Sequence, residues 1–221
     1  MPIFKKDKIE TLFIHIPKCA GTSIENAFIE NGYEYDWLIY PARDNVPDIL
    51  PCNPQHYHRE LIDNYLENEI SGIEFTVVRN PLHRLISEFQ WSHNAKVEAY
   101  DDNFFRAFDS VMSQQMAEFL IAENHFKTNK KVYLNRQFRF PYDNHMRPQV
   151  DFVRDNTKVL KLEEGTLPFL EEHFGITKLN KDNKTLSLEK PNKFKGSDRF
   201  QDLYTKLYFA DHEKFKYEKP F

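Results

Sequence analysis

Residues 12–25, LFIHIPKCAGTSIE, constrain this chain more than any other stretch. An apolar run stops at Pro17, Lys18 and the small residues Cys19, Ala20 and Gly21 follow, and Thr22 and Ser23 lead into a helical pattern. Proline carries no ladder N–H and so closes the strand. A strand that feeds a tight loop and then a helix N-terminus gathers two things there: the unpartnered N–H groups of the first helical turn and the positive end of the helix dipole. Such a corner suits an oxyanion of phosphate or sulfate. Gly21 lets the backbone approach an anion closely, Thr22 and Ser23 supply hydroxyl donors, and Lys18 supplies a mobile charge. The stretch is not a Walker A loop, which places its lysine directly after a glycine and before Ser or Thr. Here the lysine precedes the glycine by three, which argues against a magnesium-held nucleoside triphosphate. Taken alone, the loop equally suits a strand–turn–helix corner with an exposed lysine.

The remaining chain reads as strands separated by helices. Strands are expected at 11–16, 73–78 (IEFTVV) and 158–164 (KVLKLEE), where β-branched and apolar residues run together. Helices are expected at 22–30, ended by Asn31-Gly32, at 58–69, from Pro81 onward, at 109–126, at 166–175 up to Gly175, and at 198–213. The proline-rich segment 41–55 reads as an irregular loop, and 132–150 as irregular or short strands. This order predicts one α/β domain spanning 1–221, with a central, mainly parallel sheet flanked by helices. Length and composition agree: 221 residues, 40% hydrophobic and 15% aromatic, support a packed core and exclude disorder. A net charge of −4 gives no electrostatic case for a nucleic-acid partner. No signal-peptide core and no apolar run of membrane-spanning length is present, and Cys19 and Cys52 suit a reducing compartment. The expected location is cytoplasmic for the chain as given, or the Golgi lumen if it is a truncated ectodomain.

A second anion site is expected after the 73–78 strand. Arg79 stands at its carboxyl end, the edge where α/β domains bind ligands. Asn80 and Pro81 mark a helix start as cap and first residue. Ser87 falls on that helix near His83 and Arg84. A forked arginine and a serine hydroxyl can together hold a second phosphate. Taken singly, each residue equally suits a salt bridge or a helix surface.

Together, HIPKCAGTS (15–23) and VVRNPLHRLISEFQW (77–91) resemble the sulfotransferase superfamily, in its branch of carbohydrate O-sulfotransferases and their bacterial relatives. The resemblance covers roughly residues 10–217, with weaker echoes at PQHYHREL, HMRPQVDFV and the C-terminal helix. It implies a P-loop NTPase-like three-layer fold and a sulfuryl donor, 3′-phosphoadenosine 5′-phosphosulfate (PAPS). It also implies that residues 18–23 (Lys18, Cys19, Ala20, Gly21, Thr22 and Ser23) bind the 5′-phosphosulfate, while Arg79 and Ser87 bind the 3′-phosphate. A small-molecule or glycan hydroxyl is the implied acceptor. The alternatives are a small-molecule kinase on the related fold, which lacks its GK[ST] here, and a non-catalytic nucleotide-binding relative.

In that chemistry Lys18 meets the charge growing on the leaving phosphate oxygen, and a base takes the acceptor's proton. A histidine suits that base near neutrality. His56 is the first candidate, because PQH resembles the family's histidine segment, and His58 is its rival. His15, inside the first strand, reads as structural. His145 and Arg147 are expected to touch substrate. Cys19 reads as a packing or loop residue rather than a nucleophile. No DxDxDG or HExxH pattern occurs, and no metal is expected.

Overall fold

The computed structural model describes residues 1–36, 51–65, 72–93, 100–128, 140–180 and 194–221. Residues 41–50 of the expected 41–55 loop, 66–69 of the expected 58–69 helix and 132–139 of the irregular 132–150 segment lie outside the described residues. The described strands are β1 (Ile3–Lys6), β2 (Ile9–Ile14), β3 (Glu34–Asp36), β4 (Ile73–Val78) and β5 (Lys158–Lys161). The helices are α1 (Gly21–Glu30), α2 (Arg59–Tyr65), α3 (Pro81–Ser92), α4 (Asp102–Thr128), α5 (Leu167–Phe174) and α6 (Asp198–Phe215).

The five strands form one mixed sheet in the order β3-β1-β2-β4-β5. β2, β4 and β5 are parallel, whereas β1 pairs antiparallel with both β2 and β3. The parallel expectation therefore holds for the three strands followed by helices, and an antiparallel edge was not anticipated. β1 and β2 are joined by a two-residue turn with Asp7 at φ 54, a conformation that aspartate tolerates. β3 is exposed along its whole length, so no apolar alternation marked it.

β4 is the middle of the three parallel strands, and its residues 75–78 are buried and β-branched or aromatic, as a strand covered on both faces requires. Phe75 packs against Phe13, Phe28, Phe169 and Phe174, with ring centroids 4.9 to 6.2 Å away. Two threonine hydroxyls reinforce the β2–β4 pairing: Thr76 donates to the Ile14 carbonyl at 2.7 Å and Thr11 to the Ile73 carbonyl at 2.6 Å. A second core joins α3, α4 and α6 through Leu85, Phe89, Phe108, Met112, Phe200 and Tyr208.

Helix starts follow their caps. The Asn80 side chain accepts from the N–H groups of Leu82 and His83, and Ser197 accepts from Phe200. α4 begins seven residues before the expected 109, because Asp101 accepts from the Phe104 N–H and Phe104, Phe105 and Phe108 extend the apolar face. The third strand stops at Lys161, where Leu162–Glu164 tightens into a 3₁₀ turn closed by Gly165 at φ 86.

The consequence for function lies in the register. Ile14 pairs with Thr76 on a parallel neighbour, so the chain leaves β2 and β4 side by side at their carboxyl ends. Truncating Phe75 to alanine should cost about 3–5 kcal/mol, the range for a buried aromatic. Urea unfolding measures this, and a loss below about 1 kcal/mol would show that β4 is not the keystone.

Candidate functional site

The loop after β2 carries unusual backbone. Lys18 and Ala20 have φ of 66° and 65°, on either side of Cys19. Left-handed conformations are uncommon outside glycine, and their alternation with right-handed residues builds the backbone nests that hold anions. α1 starts at Gly21 with no side-chain cap, and Ala20 accepts the first helical bond from Ile24. Thr22 and Ser23 are half-buried, and neither hydroxyl bonds to a described residue. Gly21 has a reason other than the one expected. A Cβ there would lie 2.1 Å from His15 Nε2, so the glycine makes room for a buried imidazole ring.

Two buried side chains hold this loop against the second motif. Arg84, 1% exposed, donates from Nε to the Pro17 carbonyl at 3.0 Å, from Nη1 to Arg147 O at 2.8 Å and from Nη2 to His145 O at 2.7 Å. Gln149, fully buried, pairs with the backbone of Arg79 as a strand would. Its Oε1 accepts the Arg79 N–H and its Nε2 donates to the Arg79 carbonyl, both at 2.8 Å. The same amide accepts from the Cys19 thiol at 3.4 Å and donates to Asp211 at 3.3 Å. The Arg79 guanidinium reaches the Lys18 carbonyl at 3.4 Å and makes no ion pair with a described residue. Ser87 lies buried on α3.

The histidines form a row. His15 and His56 rings meet edge-on at 5.0 Å, His56 and His145 at 4.9 Å, and His145 stacks on Trp91 at 5.2 Å. Lys18 Nζ lies 4.4 Å from the Trp91 ring centroid, a cation–π contact that brings the loop's charge to the end of the row. Each histidine has its own carboxylate on Nδ1: Glu25 for His15 at 2.6 Å, Asp143 for His56 at 2.8 Å, and Glu88 for His145 at 2.6 Å. Burial lowers the pKa of His56 and of His145, outweighing the partner carboxylate in each case. For Asp143 the order reverses. Burial alone would raise it, but the hydrogen bonds from His56 and the Asn53 N–H hold it below the usual range. At neutral pH the pair is therefore a neutral imidazole and a carboxylate. Asp143 can then only accept, so the shared hydrogen sits on His56 Nδ1 and Nε2 keeps its lone pair.

Two expected residues, His58 and Arg147, take other places, while Cys19 packs as expected. His58 is 2% exposed, with its ring edge-on to Phe126, Phe140 and Phe152 at 5.3 to 6.5 Å. Its Nε2 has no hydrogen-bond partner, and burial pushes its pKa well below the ordinary value. His58 is a core residue, which removes it as rival base. Arg147 is turned inward. Its Nη2 meets Glu123 at 2.7 Å, its Nη1 meets Asp151 at 3.2 Å, and its guanidinium stacks on Phe140. A substrate contact by Arg147 is thus replaced by a buried ion-pair network. Cys19 is buried, with its thiol pushed up to about 12 by desolvation, which makes it no nucleophile at neutral pH.

Sequence reasoning missed Asp143, Glu25, Glu88 and Gln149, because isolated carboxylates and amides carry no periodic signal. The ligand atoms of His56, Asp143 and His145 lie within 4.8 Å of one another, a set with the chemistry to take a divalent cation.

A family model described as the sulfotransferase family matches residues 1–218. No curated protein and no solved structure matches the chain.

Asp211 supplies a pH test of the frame that holds the loops. It accepts the N–H groups of Gln149 and Val150 at 2.9 Å, and burial raises its pKa to about 6 from 3.8. The folded state therefore keeps its proton where the unfolded state has lost it, and stability falls as pH rises from 3.8 to about 6. The stability gap between the native chain and Asp211→Asn should shrink by about 3 kcal/mol between pH 3.5 and 6.5. Urea unfolding at a series of pH values reads this directly, and a gap constant with pH would contradict it.

Proposed function

The chain belongs to the sulfotransferase family, and from that premise we propose that it transfers the sulfuryl group of PAPS to a carbohydrate hydroxyl by in-line displacement. One observation carries the reading. Two parallel strands deliver the nest at 18–23 and Arg79, which has no ion pair among the described residues, to the same sheet edge, where Gln149 locks them together. Strand, loop and helix in that order also support a P-loop-like arrangement of the domain.

The residues present fit a donor with two anionic ends. Thr22 and Ser23 offer hydroxyls without partners among the described residues, α1 offers its first-turn N–H groups, and Arg79 offers a guanidinium without a counter-ion among those residues. PAPS, when bound, supplies the sulfuryl group and a phosphate leaving group. In this reading the N–H groups of Ala20, Gly21, Thr22 and Ser23 hold the 5′-phosphate, and Arg79 and Ser87 hold the 3′-phosphate. Lys18 stabilises the charge left on the bridging oxygen. His56 accepts the acceptor's hydroxyl proton on Nε2 as the new O–S bond forms and the old S–O bond breaks. Trp91, which is 42% exposed, stands at the rim where an acceptor ring would lie, with the buried His145 ring stacked against it.

Thermal shift with 3′,5′-ADP against ATP–magnesium tests the donor first, followed by transfer from sulfur-labelled PAPS to a panel of mono- and oligosaccharides. Stabilisation by 3′,5′-ADP is expected, and stabilisation by ATP–magnesium alone would overturn the reading. Lys18→Ala should cut turnover about 100- to 1,000-fold while leaving 3′,5′-ADP affinity within a few-fold. Equal losses in both would remove Lys18 from the transition state. The reaction needs no metal in this reading, because His56 and Asp143 already satisfy each other. Transfer should survive EDTA, and a loss restored by zinc would place a cation on His56, Asp143 and His145 instead.

A further inference from the structure

We propose that Asp143 is the positioning residue of the base, aimed at His56 by a strained turn whose role is to fix the imidazole tautomer. The proposal rests on the reading of His56 as base, and it adds what makes that histidine competent.

The turn is the first observation. Tyr142, Asp143 and Asn144 have φ of 55°, 50° and 66°, three consecutive left-handed residues with no glycine among them. Each costs roughly 1 kcal/mol or more, and such strain persists only where surrounding contacts over-determine it. Those contacts are present. The Tyr142 hydroxyl donates to Glu118 on α4, anchoring the outer end of the turn. Fully buried Asn144 donates to the His56 carbonyl at 3.0 Å and accepts from Arg147 Nε at 3.0 Å. Between these anchors Asp143 has one place to go. Its Oδ1 takes the Asn53 N–H at 2.6 Å and its Oδ2 takes His56 Nδ1 at 2.8 Å.

The second observation is that both ends of the dyad share one support. Asn53 donates its backbone N–H to Asp143, and its side chain caps the 3₁₀ turn Pro54–His56 by accepting the Gln55 N–H at 2.9 Å. Asn144 holds that same turn through the His56 carbonyl. The carboxylate and the imidazole are thus fixed relative to each other through backbone. A histidine–carboxylate contact kept only for stability would not need three left-handed residues, since apolar residues of similar size often replace such a pair at no cost. Holding one tautomer does need them. With the hydrogen on Nδ1, the lone pair of Nε2 is available to a hydroxyl; with the hydrogen on Nε2, His56 is a donor and cannot act as base.

Long-range proton–nitrogen NMR on the full chain at neutral pH reads the tautomer and requires no acceptor. His56 should carry its hydrogen on Nδ1. A wild-type His56 carrying it on Nε2 would overturn the proposal outright. In Asp143→Asn the amide places a donor against Nδ1, so the hydrogen should move to Nε2. Transfer of labelled sulfate to the most active glycan of the panel should then fall at least about a hundredfold. Stabilisation by 3′,5′-ADP should persist, which shows the variant to be folded, and Asp143→Glu should recover part of the rate. His56→Ala separates the two readings. If His56→Ala abolishes transfer while Asp143→Asn keeps both rate and tautomer, Asp143 does not position the base. If His56→Ala keeps the rate, His56 is not the base and this proposal falls with it.

Discussion

A buried side-chain amide has four hydrogen-bonding valences, and leaving any of them empty costs about 1–3 kcal/mol. Gln149 fills all four: two on the Arg79 backbone, one on the Cys19 thiol and one on Asp211. The rest of the site depends on that closure. An amide turned end for end would set N–H against N–H at Arg79, so chemistry alone fixes its orientation. The distance between the loop after β2 and the loop after β4 is then fixed by one rigid planar group. Arg84 completes the frame from the other side, joining Pro17 to the carbonyls of His145 and Arg147. The loop after β2, the loop after β4 and the segment 145–149 therefore move as one body, although they are far apart in sequence.

That frame explains which parts of the molecule were legible beforehand. β4 and the start of α3 could be read to the residue, because a buried parallel strand is a continuous apolar run and Asn80-Pro81 is a cap with a local mechanism. The anion loop was legible for the same reason, since Pro17, Gly21 and the Thr-Ser pair act on their own neighbours. β1 and β3 were not, one because four residues carry too little pattern and the other because it is wholly exposed. Asp143 could not be found from its neighbours, because its meaning comes from His56, 87 residues away. Arg147 and His58 show the reverse error. Both sit beside site residues in sequence, yet burial turns one toward Glu123 and encloses the other among phenylalanines.

Three histidine–carboxylate pairs packed in one row are costly to build. Glu25 and Glu88 lose their water, and burial pushes the His56 and His145 imidazoles toward their neutral form. Stability alone gives no reason to keep such a row, since apolar residues of similar size would fill the space at less cost. The row also extracts concessions from its surroundings. Gly21 must lack a Cβ because His15 occupies that space, and Gln55 donates to Glu25 at 2.6 Å to satisfy its second oxygen. Lys18 leans on Trp91 at one end, so the loop's charge and His56 meet through the same stack of rings.

Backbone strain points to the same place by an independent route. Seven non-glycine residues in the described chain have positive φ. Asp7 is accounted for by a two-residue hairpin turn and Lys216 by the left-handed cap of α6. The other five are Lys18, Ala20, Tyr142, Asp143 and Asn144, confined to two segments that reach the histidine row from different sides, Asp143 through His56 and Lys18 through the Trp91 ring that stacks on His145. Neither segment is a hairpin, and although Ala20 precedes the first turn of α1, a helix N-cap ordinarily takes an extended rather than a left-handed backbone. At roughly 1 kcal/mol each, their sum is comparable to a large share of the net stability of a domain. A cost of that size, concentrated at two loops and stabilised by buried bonds from Arg84, Asn144 and Gln149, is what a site that must hold charge and a proton in fixed positions requires.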